Sequence, residues 1–443
     1  MIARVASVAL VGMEGYPIDV EVSLAQGLPV FTIVGLPDPS IQEARERVRA
    51  AIQASREEFP LRRVTVNLSP AHLRKAGSSF DLAMALGVLA ANGRIRPEQL
   101  AGFAVLGELS LDGSVRAVRG VLPAVVAAVA EGNKRILVAT ANAPEASLVS
   151  GAEVLPVEHL SQAVRFLRGD ALLEQWDGSS APVADTTDDV DLSDVRGQVQ
   201  PKRALEIAAA GGHNLLFLGP PGGGKTMLAR RIGGVLPPMT EAEAFEVTRI
   251  YSVTGLLPPD RPLITRRPFR APHHSGSMTG LVGGGSGMPF PGEISLAHRG
   301  ILFLDEYGEF RRQVLDALRQ PLEDGCITVV RSRWAVTFPA RFQLIAASNP
   351  CPCGHLGDAV KPCVCMPGAV AGYRERMSGP IADRIDVAVE VARLAKRQLF
   401  GQPEGDPSAV VAERVAAARA RQRERWRALG LACNAEVPAR DID

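Results

Sequence analysis

Eight residues, GPPGGGKT at 219–226, carry the clearest chemistry in the chain. They fit the pattern G-x-x-x-x-G-K-[ST] and stand between an apolar run, HNLLFLG, and a helical pattern, KTMLARRIGGVL, the setting in which such a loop holds phosphate. Gly219, Pro220, Pro221, Gly222, Gly223 and Gly224 let successive backbone N–H groups converge on an anion. Lys225 then neutralises the β and γ phosphates and Thr226 turns its hydroxyl to Mg²⁺, so ATP is the expected ligand. Further on, GILFLDE reads as an apolar strand ending in two carboxylates. Asp305 is placed to hold Mg²⁺ through water, and Glu306 to orient or deprotonate an attacking water. LIAASN reads as a third core strand, whose terminal Asn349 is placed to hydrogen-bond that water or the γ-phosphate.

Four of the six cysteines follow at once, in SNPCPCGHLGDAVKPCVC. Cys351, Cys353, Cys363 and Cys365 are spaced C-x-C-x9-C-x-C, and Gly354 and Gly357 allow the intervening loop to fold back. Two such pairs bring four thiolates round one tetrahedral ion, and soft sulfur ligands suit Zn²⁺. The pair spacing is tighter than that of a standard zinc ribbon, so free thiols in a reducing compartment and a redox-sensitive pair stay open, as does His355 in place of one sulfur.

These groups need a scaffold, and the chain is long enough for one. Its 443 residues favour two or three domains, and 46% hydrophobic with 22% charged residues describes a globular protein with sizeable cores. The net charge is +1, so contact with nucleic acid has to come from a local basic surface. The opening MIARVASVALVGMEG alternates like a strand, and no run approaches the roughly 18 apolar residues that cross a bilayer, so a cytoplasmic location without membrane contact is expected. Residues 1–168 alternate β-rich runs with helical patterns, an α/β domain. Residues 169–190 are small, polar and acidic, an exposed linker. Residues 191–392 alternate strands and helices round a mostly parallel sheet. From 393 to 443 the chain becomes helical and basic. CITVVRSRWAVTF alternates on both sides of RSR and reads as a β-hairpin with a basic tip. His273 and His274 are adjacent, so their side chains diverge and a shared metal is not expected; the glycine-rich segment that carries them reads as a mobile loop. The arginine-rich stretch 414–427 reads first as a solvated helix face.

The three nucleotide motifs in this order, with DLSDVRGQ upstream, resemble the AAA+ ATPases. RPFRAPHHSGSMTGLVGGG, PFPGEISLAHRGILFLDEYGEF and RQPLEDG look like the magnesium-chelatase-like branch, and within it the YifB/ComM family. VGLPDPSIQEARERVRAAI and VNLSPAHLRKAGSSFDLAMAL extend the resemblance over essentially the whole chain. It implies a Lon-protease-like α/β N-terminal domain followed by an AAA+ P-loop NTPase domain with a parallel sheet. It also implies a helical lid that this sequence enters and does not complete. Gly219, Gly224, Lys225 and Thr226 match the Walker A loop, Asp305 and Glu306 Walker B, and Asn349 sensor 1. Arg384, in SGPIADRID, matches an arginine finger reaching the ATP of a neighbouring subunit, with local pairing to Asp383 or Asp386 as the plainer alternative. The cysteine loop then lies between sensor and finger and is expected to stiffen the link between them.

The family resemblance further implies a homo-hexameric, ATP-hydrolysing ring that translocates on DNA and drives branch migration in natural transformation. The basic hairpin would then face the central channel, with Arg331 and Arg333 on phosphates and Trp334 on bases. A protein-remodelling ATPase like the magnesium-chelatase motor subunit, acting on a protein client, is the second reading. An ATP-dependent protease is the third. In the Lon-like domain AGSSF puts Ser79 at the nucleophile position, but Leu122 and Ala124 stand where the activating lysine belongs, and an unassisted serine is a weak nucleophile.

Overall fold

The computed structural model describes residues 2–178, 190–258, 261–285, 287–331, 334–377, 379, 381–394, 405–438 and 441. Half of the expected linker, residues 179–189 of 169–190, lies outside the described residues. The chain forms two compact units, residues 1–184 with 245–264, and residues 185–244 with 265–443.

The first unit is built on a seven-stranded mixed sheet. Its strands are β1 (Ile2–Val11), β2 (Glu14–Ala25), β3 (Phe31–Val34), β4 (Arg63–Ser69), β5 (Phe103–Leu106), β6 (Arg135–Ala139) and β7 (Glu153–Val157), in the order β3-β4-β2-β1-β5-β6-β7. The meander β1–β2–β4 is antiparallel, and β5, β6 and β7 add in parallel beside β1. Strands covered on both faces are apolar throughout, as β5 is, and split their side chains between two cores. Leu137 and Ala139 of β6 face one core with helices α1 (Pro39–Ala54), α2 (Asp81–Ala91) and α4 (Leu160–Arg168). Ile136 and Val138 face the other, with α3 (Val121–Ala130).

Every residue of α2 is buried. Gly87 lets it sit hard against the sheet, since a methyl there would fall 2.7 Å from Val22 Cγ2. Burial includes Asp81, which Arg47 of α1 holds through Nε–H···Oδ2 at 2.7 Å and Nη2–H···Oδ1 at 3.1 Å, with the Leu109 N–H also donating. Burial pushes the Asp81 carboxyl up to about 6, and Arg47 pulls against that rise.

The second unit carries the nucleotide motifs. After helix α5 (Val199–Gly211) come strand β8 (Leu215–Leu218), helix α6 (Lys225–Arg230) and helix α7 (Glu241–Thr254). From Phe245 onward α7 is part of the first unit. Its Val247, Ile250 and Val253 are buried, the Gly120 N–H donates to Ser252 O, and Ser252 Oγ bonds Glu145. In the second unit follow β9 (Phe269–Arg270), β10 (Ile301–Leu304), α8 (Arg319–Asp324), the hairpin β11 (Cys326–Arg331) and β12 (Trp334–Pro339), β13 (Gln343–Ser348), α9 (Pro367–Met377), β14 (Val387–Glu390) and α10 (Ser408–Arg425). The core sheet has the order β9-β10-β13-β8-β14 and all its pairings are parallel. The loop after β8 therefore leaves the sheet between strands reached by later crossovers, where open parallel sheets form a crevice at their carboxyl ends. Helix α10 packs on α5 through Arg419 and Gln422, which donate to Ala209 O and Ala210 O, and Arg414 meets Glu206 and Asp406.

Removing Arg47 leaves a buried carboxylate without its cation. Arg47→Ala is expected to cost about 3–5 kcal/mol of stability near neutral pH. In the wild type the raised Asp81 carboxyl loses stability only as pH climbs through about 6, whereas without Arg47 its folded-state pKa rises further and the loss continues at higher pH. The deficit of the variant should thus grow from pH 5 to pH 8 in thermal unfolding, and a deficit independent of pH would contradict this role for Asp81.

Candidate active site

The phosphate loop begins where β8 ends. Gly219 N–H donates to Ser348 O, and a methyl on Gly219 would fall 2.1 Å from Val391 O, so only glycine fits where β8, β13 and the segment after β14 converge. Gly222 and Gly224 take φ of +77° and +94°, the left-handed backbone that frees the loop's N–H groups from ladder pairing. The Lys225 ammonium is almost fully buried and donates to Gly219 O at 2.7 Å, Pro220 O at 3.0 Å and Asn349 Oδ1 at 3.1 Å. Burial lowers its pKa, and the nearby Asp305 charge opposes the fall.

Thr226 and Asp305 meet directly, Oγ1–H···Oδ2 at 2.8 Å. A hydroxyl and a carboxylate oxygen side by side at the crevice are hard ligands of the kind Mg²⁺ takes, together with water and phosphate oxygens. When bound there, Mg²⁺ neutralises charge on the phosphates. Glu306 follows at φ +54°, an uncommon conformation for a residue with a side chain, and its carboxylate lies 3.0 Å from His274 Nδ1. The fold thus brings Lys225, Thr226, Asp305 and Asn349 into one bonded group, with Glu306 adjoining it through Asp305. Opposite the glycines the cavity is walled by Val195, Gln198, Arg393 and Leu394. Gln198 Nε2 ties Gly223 O to Ala392 O, at 3.0 and 2.8 Å.

Arg384 engages Glu323 of α8, not Asp383 or Asp386. Asp386 instead accepts from Asn214 N and meets His213. Arg331 ends β11 exposed to solvent and pairs in register with Trp334. Arg333 lies outside the described residues. A side chain on Gly284 would begin 3.4 Å from Arg331 Nη2, which puts the glycine-rich segment beside the basic hairpin. That segment has local order of its own: helix Met278–Val282 and the strands Gly283–Gly284 and Phe290–Pro291, which pair.

The cysteine sulfurs of Cys351, Cys353, Cys363 and Cys365 all lie within 4.8 Å of one another. Sγ distances of 3.4 Å for 351–353 and 3.6 Å for 351–363 and 353–363 approach the roughly 3.8 Å edge of a tetrahedron with metal–sulfur bonds of about 2.3 Å. The donor set fits zinc. Backbone N–H groups of His355 and Val364 bring the Cys353 thiol down to about 6. The Cys353 N–H also favours a Cys365 thiolate, but burial and the neighbouring thiols outweigh it and push Cys365 up to about 12. The loop between the cysteine pairs rests on the phosphate loop: a methyl on Gly354 would lie 2.7 Å from the Pro221 ring and 3.6 Å from Asn349 Cγ.

Gln198, His274 and Glu323 lie in stretches that carry the family resemblance but had no role marked by spacing or composition, and Arg393 had no signal at all; their partners are far away in sequence. In the first unit Ser79 is half-buried. The nearby Lys75 ammonium donates to Gly35 O, Leu68 O and Pro70 O, so its three N–H groups are occupied.

A five-stranded parallel sheet with a phosphate loop after one strand and paired carboxylates two strands away, the sensor strand between them, defines a P-loop NTPase of the AAA+ class. Residues 191–399 match the family model described as magnesium chelatase, subunit ChlI, and residues 20–142 match that of subunit ChlI of Mg-chelatase. The competence protein ComM of Haemophilus influenzae is 45% identical over 446 residues, covering 99% of this chain and 86% of its own length. The uncharacterized protein YifB of Escherichia coli is 46% identical over 420 residues, 94% of this chain and 81% of that protein. An uncharacterized protein of Mycobacterium tuberculosis is 48% identical over 438 residues, 98% and 86% of the two chains. The chain belongs to the YifB/ComM family of magnesium-chelatase-like AAA+ ATPases. No helix among the described residues is long and apolar enough to cross a membrane.

Replacing the Glu306 carboxylate by its amide keeps shape and removes basicity. Glu306→Gln is expected to bind ATP like the wild type and to hydrolyse it at least about 100-fold more slowly. Equal turnover in a phosphate-release assay would remove Glu306 from the chemistry.

Proposed function

We propose that this ATPase works as a homo-hexameric ring that moves along DNA, with branch migration during uptake or recombination of DNA as its task. Lys225 and the loop 219–224 bind the phosphates, Thr226 and Asp305 hold Mg²⁺, Glu306 activates water, Asn349 orients it, and Arg384 serves the neighbouring subunit's ATP. The observation that carries the DNA reading is the basic hairpin: exposed Arg331 lies against a glycine-rich hairpin in the same unit as the nucleotide loop. Cations on mobile or narrow elements grip phosphates irrespective of sequence, and Trp334 offers a stacking face. The name of the Haemophilus relative, a competence protein, supports the same direction.

Residues 1–168 form a Lon-like module without protease chemistry, retained for binding or assembly. The four cysteines hold a structural zinc ion. The match to a magnesium-chelatase subunit favours a second reading, an ATPase that remodels a protein client.

Two measurements decide. ATP hydrolysis by the wild type should rise several-fold with single-stranded or branched DNA, and the Arg331→Ala/Arg333→Ala variant should lose that rise; a wild type indifferent to both DNAs would favour the protein client. Metal analysis should find stoichiometric zinc that disappears when the four cysteines become serine. Metal-free wild-type protein, with turnover unaltered in the serine variant, would sink the zinc assignment.

A further inference from the structure

One wall of the nucleotide cavity owes nothing to the phosphate-loop motif. Arg393 lines the cavity with Gly222, Gly223 and Gly224. Its Nη2 donates to Pro221 O at 3.3 Å and is paired with Asp358 Oδ2 at 3.1 Å, while its Nε has no acceptor among the described residues. The guanidinium is therefore held through Nη2 and buried at Nε, which leaves Nη1, without a hydrogen bond among the described residues, as the end open to a ligand.

What holds it is the cysteine loop. Asp358 lies between Cys353 and Cys363, its side chain fully buried, with Oδ1 accepting from the Val360 N–H at 2.9 Å and Oδ2 lying 3.1 Å from His355 Nδ1. The Val360 N–H, ahead of His355 and Arg393, keeps its carboxyl below the usual range. A carboxylate fixed in this way is a rigid anion, and a guanidinium on it presents a preorganised cation to the cavity. Gly354 of the same loop, packed on Pro221, makes a second point of support.

We propose that Arg393 contacts the bound nucleoside triphosphate, and that Asp358 of the cysteine loop positions it, so that this loop governs nucleotide affinity. The inference rests on the ATP-binding reading of the phosphate loop. It gives the cysteine centre a role on the P-loop side of the site, in addition to its place in sequence between Asn349 and Arg384.

The test measures the affinity of the full chain for a fluorescent ATP analogue in Arg393→Ala, Asp358→Asn and the double variant, with Lys225→Ala as control and thermal unfolding to verify folding. Arg393→Ala should weaken binding about 10- to 100-fold, the range for a hydrogen bond to a charged group. Asp358→Asn should weaken it less, and the double variant should match Arg393→Ala, because a positioning residue has no effect once the group it positions is gone. Zinc content should stay near wild type in all three variants, whereas general loosening of the cysteine loop would lower it. Unchanged affinity in Arg393→Ala while Lys225→Ala fails to bind would overturn the proposal and leave the ATP site intact. Normal binding by Lys225→Ala would overturn the ATP reading itself. Additive losses in the double variant would refute positioning by Asp358.

Discussion

A buried ammonium ion sets the terms for the whole ATPase unit. Lys225 is removed from water, and burial of a cation is tolerable only with acceptors at every N–H. Two come from the carbonyls of Gly219 and Pro220 and one from Asn349. The chain can supply these three only if β8 and β13 end side by side, which the parallel register Leu215↔Ile345 through Leu218↔Ser348 ensures. Val391, in the segment after β14, leaves no room for a Cβ at Gly219. The alignment of the two strands also makes the site an exchange: phosphate oxygens must replace acceptors that the lysine already has, so binding energy is a difference between two satisfied states. Lys75 in the first unit shows the contrasting case, an ammonium closed in by three carbonyls from two stretches, Gly35 and Leu68 with Pro70, which serves packing.

The parts of this arrangement legible in the sequence are those whose chemistry is local. GPPGGGKT combines residue types and spacing that few other contexts require, and GILFLDE and LIAASN declare buried strands by unbroken hydrophobicity and end on the polar residues that matter. The hairpin was readable because alternation on both sides of RSR has period two. Contacts between distant segments were not readable. For Arg384 the sequence offers its neighbours Asp383 and Asp386, whereas the partner in space is Glu323. His274 looks like half of an idle histidine pair until the fold sets it against Glu306. Nothing in the sequence of residues 241–254 names the core that receives Val247, Ile250 and Val253.

The cysteine loop illustrates the same limit in another form. Its spacing suggested a metal site, with free thiols and a redox pair left open, and the clustering of the four sulfurs is compatible with a metal. Its address in sequence pointed along the chain, toward Asn349 and Arg384. Its contacts run sideways as well, through Gly354 to Pro221 and through Asp358 to Arg393. Glycine at 354, with φ of +79°, is the residue that permits this close approach.

The pairing of Arg384 with Glu323 has a consequence of its own. Glu323 also lies 3.3 Å from Arg319 on the same helix turn, so it keeps a cation when Arg384 departs. A guanidinium so engaged measures every incoming anion against a carboxylate rather than against water. A singly charged group gains little by displacing one of its own kind, whereas a multiply charged phosphate gains a great deal. For the role at a neighbouring ATP proposed above, the pair would set a charge threshold that favours a polyphosphate over the common acidic side chains.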